Sequence, residues 1–177
     1  MATAKRTYEK MLSPRVETSV DDELAAPPRL LRCLVVSSVA ERRRLIRAAA
    51  ERQAWDAIVC RDAGEFLRAV FKRSMPLVVV DLPRTDSPAY WSFREAVERF
   101  KQSNDGLVVV AGTGSVTDEE LWARSQGTWT YVCEAFSHRG FDVVFCEART
   151  ALARIERARS MDDPQRAMTA SWSPGDP

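Results

Sequence analysis

The sequence predicts an α/β domain in which helices cover both faces of a parallel β-sheet. Three observations support this prediction: apolar runs of strand length alternate with amphipathic stretches of helix length, polar or glycine-containing loops separate them, and two of the runs are mostly valine. The valine-rich runs are Leu77–Val80 and Leu107–Ala111. Because they are apolar at every position, we expect them to be strands buried on both faces.

The first predicted strand is Leu30–Val36, and a helix follows it to about Gln53. Ser38 and Glu41 fit a capping box, in which the serine side chain accepts a backbone N–H and the glutamate reaches back to the start of the helix. Apolar side chains of this helix are expected to face inward. The run Arg42–Arg44 is expected to lie on the solvated face.

The second and third predicted strands are Ala57–Cys60 and Leu77–Val80. Between them, Asp62 and Glu65 repeat the capping-box pattern ahead of a short amphipathic helix. Asp81 comes directly after the third strand, so we expect its carboxylate at the carboxyl edge of the sheet.

The remaining predicted elements complete the alternation. They are a third helix from Pro88 to about Gln102, a fourth strand Leu107–Ala111, a fourth helix that opens with the capping box Thr117–Glu120 and ends before Gly127, a fifth strand Thr128–Cys133, and a fifth helix with the apolar stripe Phe141, Val144, Phe145, Ala148, Leu152 and Ile155. Right-handed crossovers then place helices on both faces of the sheet. The simplest prediction is a flavodoxin-like (βα)5 fold, a doubly wound parallel five-stranded sheet with strand order 2-1-3-4-5.

Composition limits the classes of function. The chain has 177 residues, with 26 Lys and Arg against 25 Asp and Glu for a net charge of +1, so the charge balance does not favour nucleic-acid binding. No apolar run approaches the roughly 20 residues that cross a bilayer, and no apolar segment of a secretory signal follows the N-terminal bases. We expect a cytoplasmic protein with a domain at 29–158 between disordered tails at 1–28 and 159–177.

The cysteines and the one histidine give no catalytic or metal-site pattern. The four cysteines are Cys33, Cys60, Cys133 and Cys146, widely spaced and with no CxxC pair, and we expect all of them to be buried and reduced. With His138 as the only histidine, neither a zinc site nor a Ser-His-Asp triad has the required spacing. We expect no enzyme activity, no resident metal and no cofactor.

Over roughly residues 30–158 the sequence resembles the receiver domains of bacterial two-component response regulators. The resemblance depends on the element order, on Val80-Asp81 at the end of the third strand, and on Gly127 followed by the stretch 131–136. It implies that Asp81 stands at the phospho-acceptor position, Tyr131 at the switch aromatic and Phe136 at the aromatic that follows the family's Lys-Pro pair.

The sequence departs from the receiver pattern at the other phosphorylation positions. Ser37 and Ser38 replace the acidic pair, Ala111 or Gly112 replaces the hydroxyl residue after the fourth strand, and Glu134 replaces the lysine. Serine hydroxyls are poor Mg²⁺ ligands, and an acid in place of the lysine would repel a phosphoryl group. The resemblance therefore implies a degenerate receiver, or pseudo-receiver.

The favoured hypothesis is a non-catalytic pseudo-receiver that acts as a protein–protein interaction module in bacterial signal transduction. As the resemblance implies, the contact surface is the face of the fourth helix, fifth strand and fifth helix, and it binds a protein partner or a second copy of the chain. Candidate contact residues are Trp122, Trp129 and Tyr131.

Two alternatives stay open at this point. The chain could be a phospho-accepting response regulator that uses Asp81 with an unusual metal shell. It could also be a flavodoxin-like binder of a small ligand, with Ser37, Ser38, Thr113 and Ser115 around an anion. The Asp81 carboxylate has a purely structural alternative as well, in which it accepts a backbone N–H from the next turn.

Overall fold

A computed structural model of the chain describes residues 30–113, 117–133 and 138–161. Within these ranges five strands alternate with five helices. The elements are β1 Leu31–Ser37, α1 Ala40–Arg52, β2 Trp55–Cys60, α2 Ala63–Lys72, β3 Leu77–Asp81, α3 Tyr90–Ser103, β4 Leu107–Gly112, α4 Thr117–Ser125, β5 Thr130–Cys133 and α5 His138–Met161. The strands are all parallel and form one sheet in the order β2-β1-β3-β4-β5, which confirms the predicted flavodoxin-like fold.

The strand register brings the ends of β1, β3 and β4 together. Ser37 lies opposite Asp81, and Asp81 lies opposite Ala111 on its other side. Gly112 in turn pairs with Cys133 at the end of β5. The residues that follow these strands therefore share one edge of the sheet, as expected for parallel strands.

Apolar side chains fill both faces of the sheet. All five residues of β3 are buried, because alternate side chains enter the two core layers and helices cover both. The first layer lies between the sheet and α2, α3 and α4, and its aromatic side chains include Phe66, Phe93, Phe100 and Trp122. The second layer lies under α1 and α5, and its largest side chains are Ile46, Trp55, Phe141 and Phe145. The valine runs were thus correctly predicted to be buried on both faces.

The predicted capping box at α1 is wrong. The helix begins at Ala40 with Val39 at the N-cap position, and Val39 makes no side-chain capping bond. The hydroxyl of Ser37 accepts the Val39 N–H at 3.2 Å, whereas Ser38 is exposed. Because β1 extends one residue further than predicted, the serine that contacts the helix start belongs to the strand.

The other two predicted caps have different outcomes. At α2, the Asp62 carboxylate accepts the Glu65 N–H at 2.8 Å, and the Glu65 carboxylate accepts the Arg61 N–H at 2.8 Å. At α4, Glu120 pairs with Arg124 one turn later instead of reaching back to the helix start. At α2 the predicted cap therefore forms, except that Glu65 binds the N–H of Arg61, one residue before the N-cap Asp62. At α4 the predicted pattern is instead an exposed ion pair.

The expectation for the cysteines holds for two of the four. Cys33 and Cys60 are buried, and burial, with a smaller contribution from nearby carboxylates, raises the pKa of Cys33 to about 12 and that of Cys60 to about 11. Cys133 and Cys146 are free but exposed. They escape burial because Cys133 ends the edge strand β5 and Cys146 lies on the outer face of α5.

The ends of the domain are only partly described. Helix α5 continues to Met161, three residues past the predicted boundary at 158. Residues 1–29 and 162–177 lie outside the described part of the chain. None of the helices described here is both long and apolar enough to cross a membrane.

Candidate functional site

The site is built around Asp81 at the end of the central strand β3. Its side chain is almost completely buried, and Ser37 at the end of β1 is completely buried beside it. The Ser37 hydroxyl donates a hydrogen bond to Asp81 Oδ2 at 2.6 Å. The register that places these two residues side by side therefore also joins their side chains.

The other carboxylate oxygen of Asp81 is bound by Arg42, from the first turn of α1. Arg42 donates from Nε at 3.1 Å and from Nη2 at 2.7 Å, both to Oδ1. Its guanidinium also lies 5.9 Å from the centroid of the Phe141 ring. A charged, two-donor contact of this length is a strong hydrogen-bonded ion pair.

The prediction that Arg42–Arg44 forms a solvated face is wrong for two of the three arginines. Arg42 binds Asp81, and Arg43 Nη1 donates to the Ser37 carbonyl at 2.6 Å. Only Arg44 is exposed. The sequence places Arg42 within one turn of a strand end, but Arg43 shares that position, so the pattern does not show which arginine binds Asp81.

The alternative in which the Asp81 carboxylate accepts a backbone N–H from the next turn is also wrong. The N–H of Leu82 donates to the carbonyl of Ala111 on the neighbouring strand at 2.8 Å, so it is not available to the Asp81 carboxylate. Asp81 is bound instead by the side chains of Ser37 and Arg42. The partners of Asp81 therefore come from another strand and another helix, which sequence-local reasoning does not reach.

These residues do not fit a divalent cation. A hard cation needs several oxygen ligands, preferably with negative charge. Here the Ser37 hydroxyl is already bonded to Asp81 and Val39, and a guanidinium lies 2.7 Å from Oδ1, where it would repel a second cation. Among the residues that the structure describes, no group of three or more His, Cys, Asp or Glu side chains is placed to hold a metal ion.

A second polar group lies beside the first, at the ends of β4 and β5. Glu119 of α4 is completely buried, and its Oε2 accepts the Thr113 N–H at 2.8 Å and the Tyr131 hydroxyl at 2.8 Å. A Cβ atom placed on Gly112 would overlap both Glu119 Oε2 and the Tyr131 hydroxyl. The glycine at this strand end therefore makes room for the Glu119–Tyr131 contact.

The fold is similar to that of solved response regulator receiver domains. CheY4 of Vibrio cholerae, a chemotaxis response regulator, is 13% identical with a TM-score of 0.56, and the match covers 67% of this chain and 98% of that one. A receiver domain protein from Methanospirillum hungatei is 15% identical with a TM-score of 0.60, covering 73% and 98%. The beryllofluoride-activated NtrC4 receiver domain dimer is 19% identical with a TM-score of 0.57, covering 66% and 94%.

This chain has the receiver-domain fold. The likeness is one of fold, because the identities are low, and the sequence matches no protein-family model and no curated protein. Within the receiver fold, Asp81 ends the central strand, with Ser37 at the end of β1 and Ala111 and Gly112 at the end of β4. The position of Glu134 lies outside the described residues, as does that of Ser115, so their relation to Asp81 is not described.

On the receiver fold the proposed contact residues are more buried than expected. Trp122 is only 8% exposed, and its Nε1–H donates to Glu98 at 3.0 Å, while Trp129 and Tyr131 are half-buried. Leu121, the neighbour of Trp122 on α4, is 59% exposed. On α4, Leu121 is therefore more accessible to a partner than Trp122.

Trp91 lies on the outer face of α3. Helix α3 begins at Tyr90, which faces inward, so the next residue faces outward and Trp91 is 66% exposed. Arg94 lies over the rings of both Trp91 and Trp122, at 5.0 and 4.3 Å from their centroids. This stacking connects exposed Trp91 of α3 with buried Trp122 of α4.

Proposed function

We propose that this chain is a receiver-fold module that does not accept a phosphoryl group and that acts in bacterial signal transduction by binding another protein. The observation that supports this proposal is that both oxygens of the Asp81 carboxylate already accept hydrogen bonds from side chains. Ser37 holds one oxygen and Arg42 holds the other. Hydrogen bonds from a hydroxyl and a guanidinium stabilise the charged carboxylate and lower its nucleophilicity, because a phosphoryl donor would have to compete with these donors for the same two oxygens.

Charge supports the same conclusion. Phosphoryl transfer to an aspartate depends on a cation that neutralises the incoming oxygens and bridges them to the acceptor. Here the positive charge beside Asp81 belongs to Arg42, and the adjacent strand end contributes neutral serines, Ser37 and Ser38. The alternative of a phospho-acceptor would require this ion pair to open, and the anion-binder alternative would require Ser37 to leave Asp81.

The proposed contact surface is the face of α4, β5 and α5. Leu121 of α4 and Val143 of α5 are exposed apolar side chains on these helices. Tyr131 of β5, the strand between these two helices in the sequence, is half-buried. We further propose a domain that begins near residue 29 and ends with α5 in a cytoplasmic protein, with a protein partner or a second copy of the chain on this face.

Treatment of the protein with acetyl phosphate, or with beryllofluoride, in the presence of Mg²⁺ is expected to leave it unmodified. Intact-mass spectrometry should show no phosphoryl group that depends on Asp81, and Mg²⁺ alone should not raise the melting temperature. A mass gain that disappears in Asp81→Asn would overturn the proposal.

A rebuilt variant serves as the matched control for Mg²⁺ binding. Replacing Ser37 and Ser38 with aspartate, together with Arg42→Ala, supplies an acidic pair and removes the cation that competes for Asp81. Because three clustered carboxylates repel one another until a cation binds, Mg²⁺ should raise the melting temperature of this variant. An equal Mg²⁺ response of the wild-type chain would contradict the assignment of Arg42.

Substitution of an exposed apolar residue on the proposed face is expected to reduce partner binding. Leu121→Asp and Val143→Asp place charges on α4 and α5 without entering the core, so they should weaken the recovery of a bound protein by about tenfold or more. Phe71→Asp on α2 is the control, because Phe71 is also exposed but α2 packs against α3, β1 and β2.

Affinity pull-down from the native cell, compared with sizing chromatography of the purified protein, measures both kinds of partner. If all three variants recover the same proteins and show the same oligomeric state as wild type, the α4–β5–α5 face is not the contact surface.

A further inference from the structure

We propose that Glu119 is a positioning residue, a built-in carboxylate that holds Tyr131 and the Thr113 backbone in one arrangement without any modification of Asp81. The inference rests on the proposed function, because it says how a module without phosphorylation presents a fixed face. Glu119 was not among the residues that the sequence singled out.

The burial of Glu119 is the first observation. Its carboxylate is inaccessible to solvent, and a buried carboxylate is stable only when donors surround it. Two donors converge on Oε2: the Thr113 N–H and the Tyr131 hydroxyl, each at 2.8 Å. The Thr113 hydroxyl is at 3.5 Å from the same oxygen. One oxygen thus connects the end of β4, the strand β5 and the first turn of α4.

The space for this contact is the second observation. Gly112 lies between Asp81's neighbour Ala111 and Thr113, and any side chain there would overlap Glu119 Oε2 and the Tyr131 hydroxyl. Gly112 is, with Ala111, one of the two residues that the receiver resemblance aligns with the family's hydroxyl position. The strand end and the carboxylate fit each other only with glycine at this position.

The surroundings of Glu119 extend to α3. Burial, and then the negative charge of Glu119, raise the pKa of Tyr90 above its ordinary value of 10.0, while Arg94 opposes this shift. The Arg94 guanidinium lies 5.6 Å from the centroid of the Tyr90 ring. Both of the 2.8 Å hydrogen bonds that Glu119 accepts, from Thr113 and Tyr131, are made by Oε2. Breaking these bonds would remove the contacts of Glu119 with Thr113 and Tyr131 together.

The two polar groups act through different residues. Asp81 is bound by Ser37 and Arg42 from β1 and α1, whereas Glu119 binds residues of β4 and β5. We therefore expect the arrangement of Tyr131 to depend on Glu119 and to be insensitive to Asp81. Glu119 thus places a buried carboxylate at the side of the sheet where the proposed contact face lies.

NMR of the full chain tests the proposal through Thr113 and Tyr131. In Glu119→Met, which keeps the side-chain volume and removes both acceptor oxygens, the Thr113 amide should exchange with solvent about tenfold faster or more. The ¹⁹F resonance of fluorotyrosine at position 131, assigned with Tyr131→Phe, should move. Glu119→Gln retains one acceptor oxygen and should preserve both signals.

Two controls make the result specific. Glu120→Met changes the adjacent residue, whose carboxylate pairs with Arg124, and should leave Thr113 and Tyr131 unchanged. Asp81→Asn should also leave them unchanged. The proposal is overturned if Glu119→Met has no effect, if Glu119→Gln has as large an effect, or if Asp81→Asn reproduces it.

These outcomes differ from a failure of the proposed function. Phosphorylation of Asp81 in the wild-type chain would reject the pseudo-receiver, whatever the Glu119 variants do. Unchanged Thr113 and Tyr131 signals in Glu119→Met would reject only the positioning role, because the mass-spectrometric result on Asp81 does not involve that residue.

Discussion

Arg42→Ala is expected to lower the free energy of unfolding by about 3 kcal/mol, since it leaves the buried Asp81 carboxylate without its counter-charge. The Asp81 side chain is 8% exposed and that of Arg42 is 24% exposed, so water can replace only part of the lost interaction. Ser37 still donates to Oδ2, which places the expected loss at the lower end for buried ion pairs. Urea unfolding at neutral pH measures this difference.

A double-mutant cycle separates the ion pair from other effects of the substitution. Adding Asp81→Asn to Arg42→Ala removes the uncompensated charge, so the double variant should be more stable than the sum of the single losses by about 2 kcal/mol. Arg44→Ala is the matched control on the same helix, where the side chain is exposed, and should stay within about 0.5 kcal/mol of wild type. Equal losses for Arg42→Ala and Arg44→Ala would show that the ion pair contributes nothing.

Gly112→Ala should destabilise the fold by about 2 kcal/mol, through overpacking rather than through the loss of a contact. The added methyl group would overlap Glu119 Oε2 and the Tyr131 hydroxyl, and both groups are held in place by their mutual hydrogen bond. Relief requires α4 or β5 to shift. Thermal unfolding followed by circular dichroism measures the change.

The same substitution elsewhere is the control. Gly64→Ala makes the identical chemical change in α2, where the nearest atom to the new Cβ is Asp62 Oδ1 at 3.2 Å and helix propensity favours alanine by about 1 kcal/mol. It should therefore be close to neutral. Combining Gly112→Ala with Tyr131→Phe removes one of the two overlapping groups, and the pair should lose less stability than the separate effects predict. Additive losses would contradict the close approach at Gly112.

The fold could be predicted from the sequence because its signals are local and repeated. The runs Leu77–Val80 and Leu107–Ala111 are strands buried on both faces, as their composition predicts. Element ends were less accurate: β2 begins at Trp55, two residues earlier than expected, and α3 begins at Tyr90, two residues after Pro88. Backbone propensity varies slowly along a chain, whereas a helix or strand end depends on a few specific contacts.

The candidate site could be predicted only in part. The sequence placed Asp81 and Ser37 at adjacent strand ends, since the carboxyl ends of parallel strands share one edge. It did not predict that Arg42 would turn toward Asp81, or that Glu119 would be buried. Both side chains occur in helical segments with several charged neighbours, and the pattern does not show which charge faces the sheet.

The sequence by itself determined the chemical groups at the carboxyl edge: an aspartate after the third strand, serines where the receiver resemblance has an acidic pair, and Ala111 or Gly112 where it has a hydroxyl residue. The tertiary structure decided how those groups are bound. Arg42 binds Asp81, which lies 39 residues away in the sequence, and Glu119 binds Tyr131, which lies 12 residues away. The physical reason is that the packing of the helices on the sheet decides which charged side chains come into contact. This packing depends on the whole apolar core rather than on the residues next to each charge.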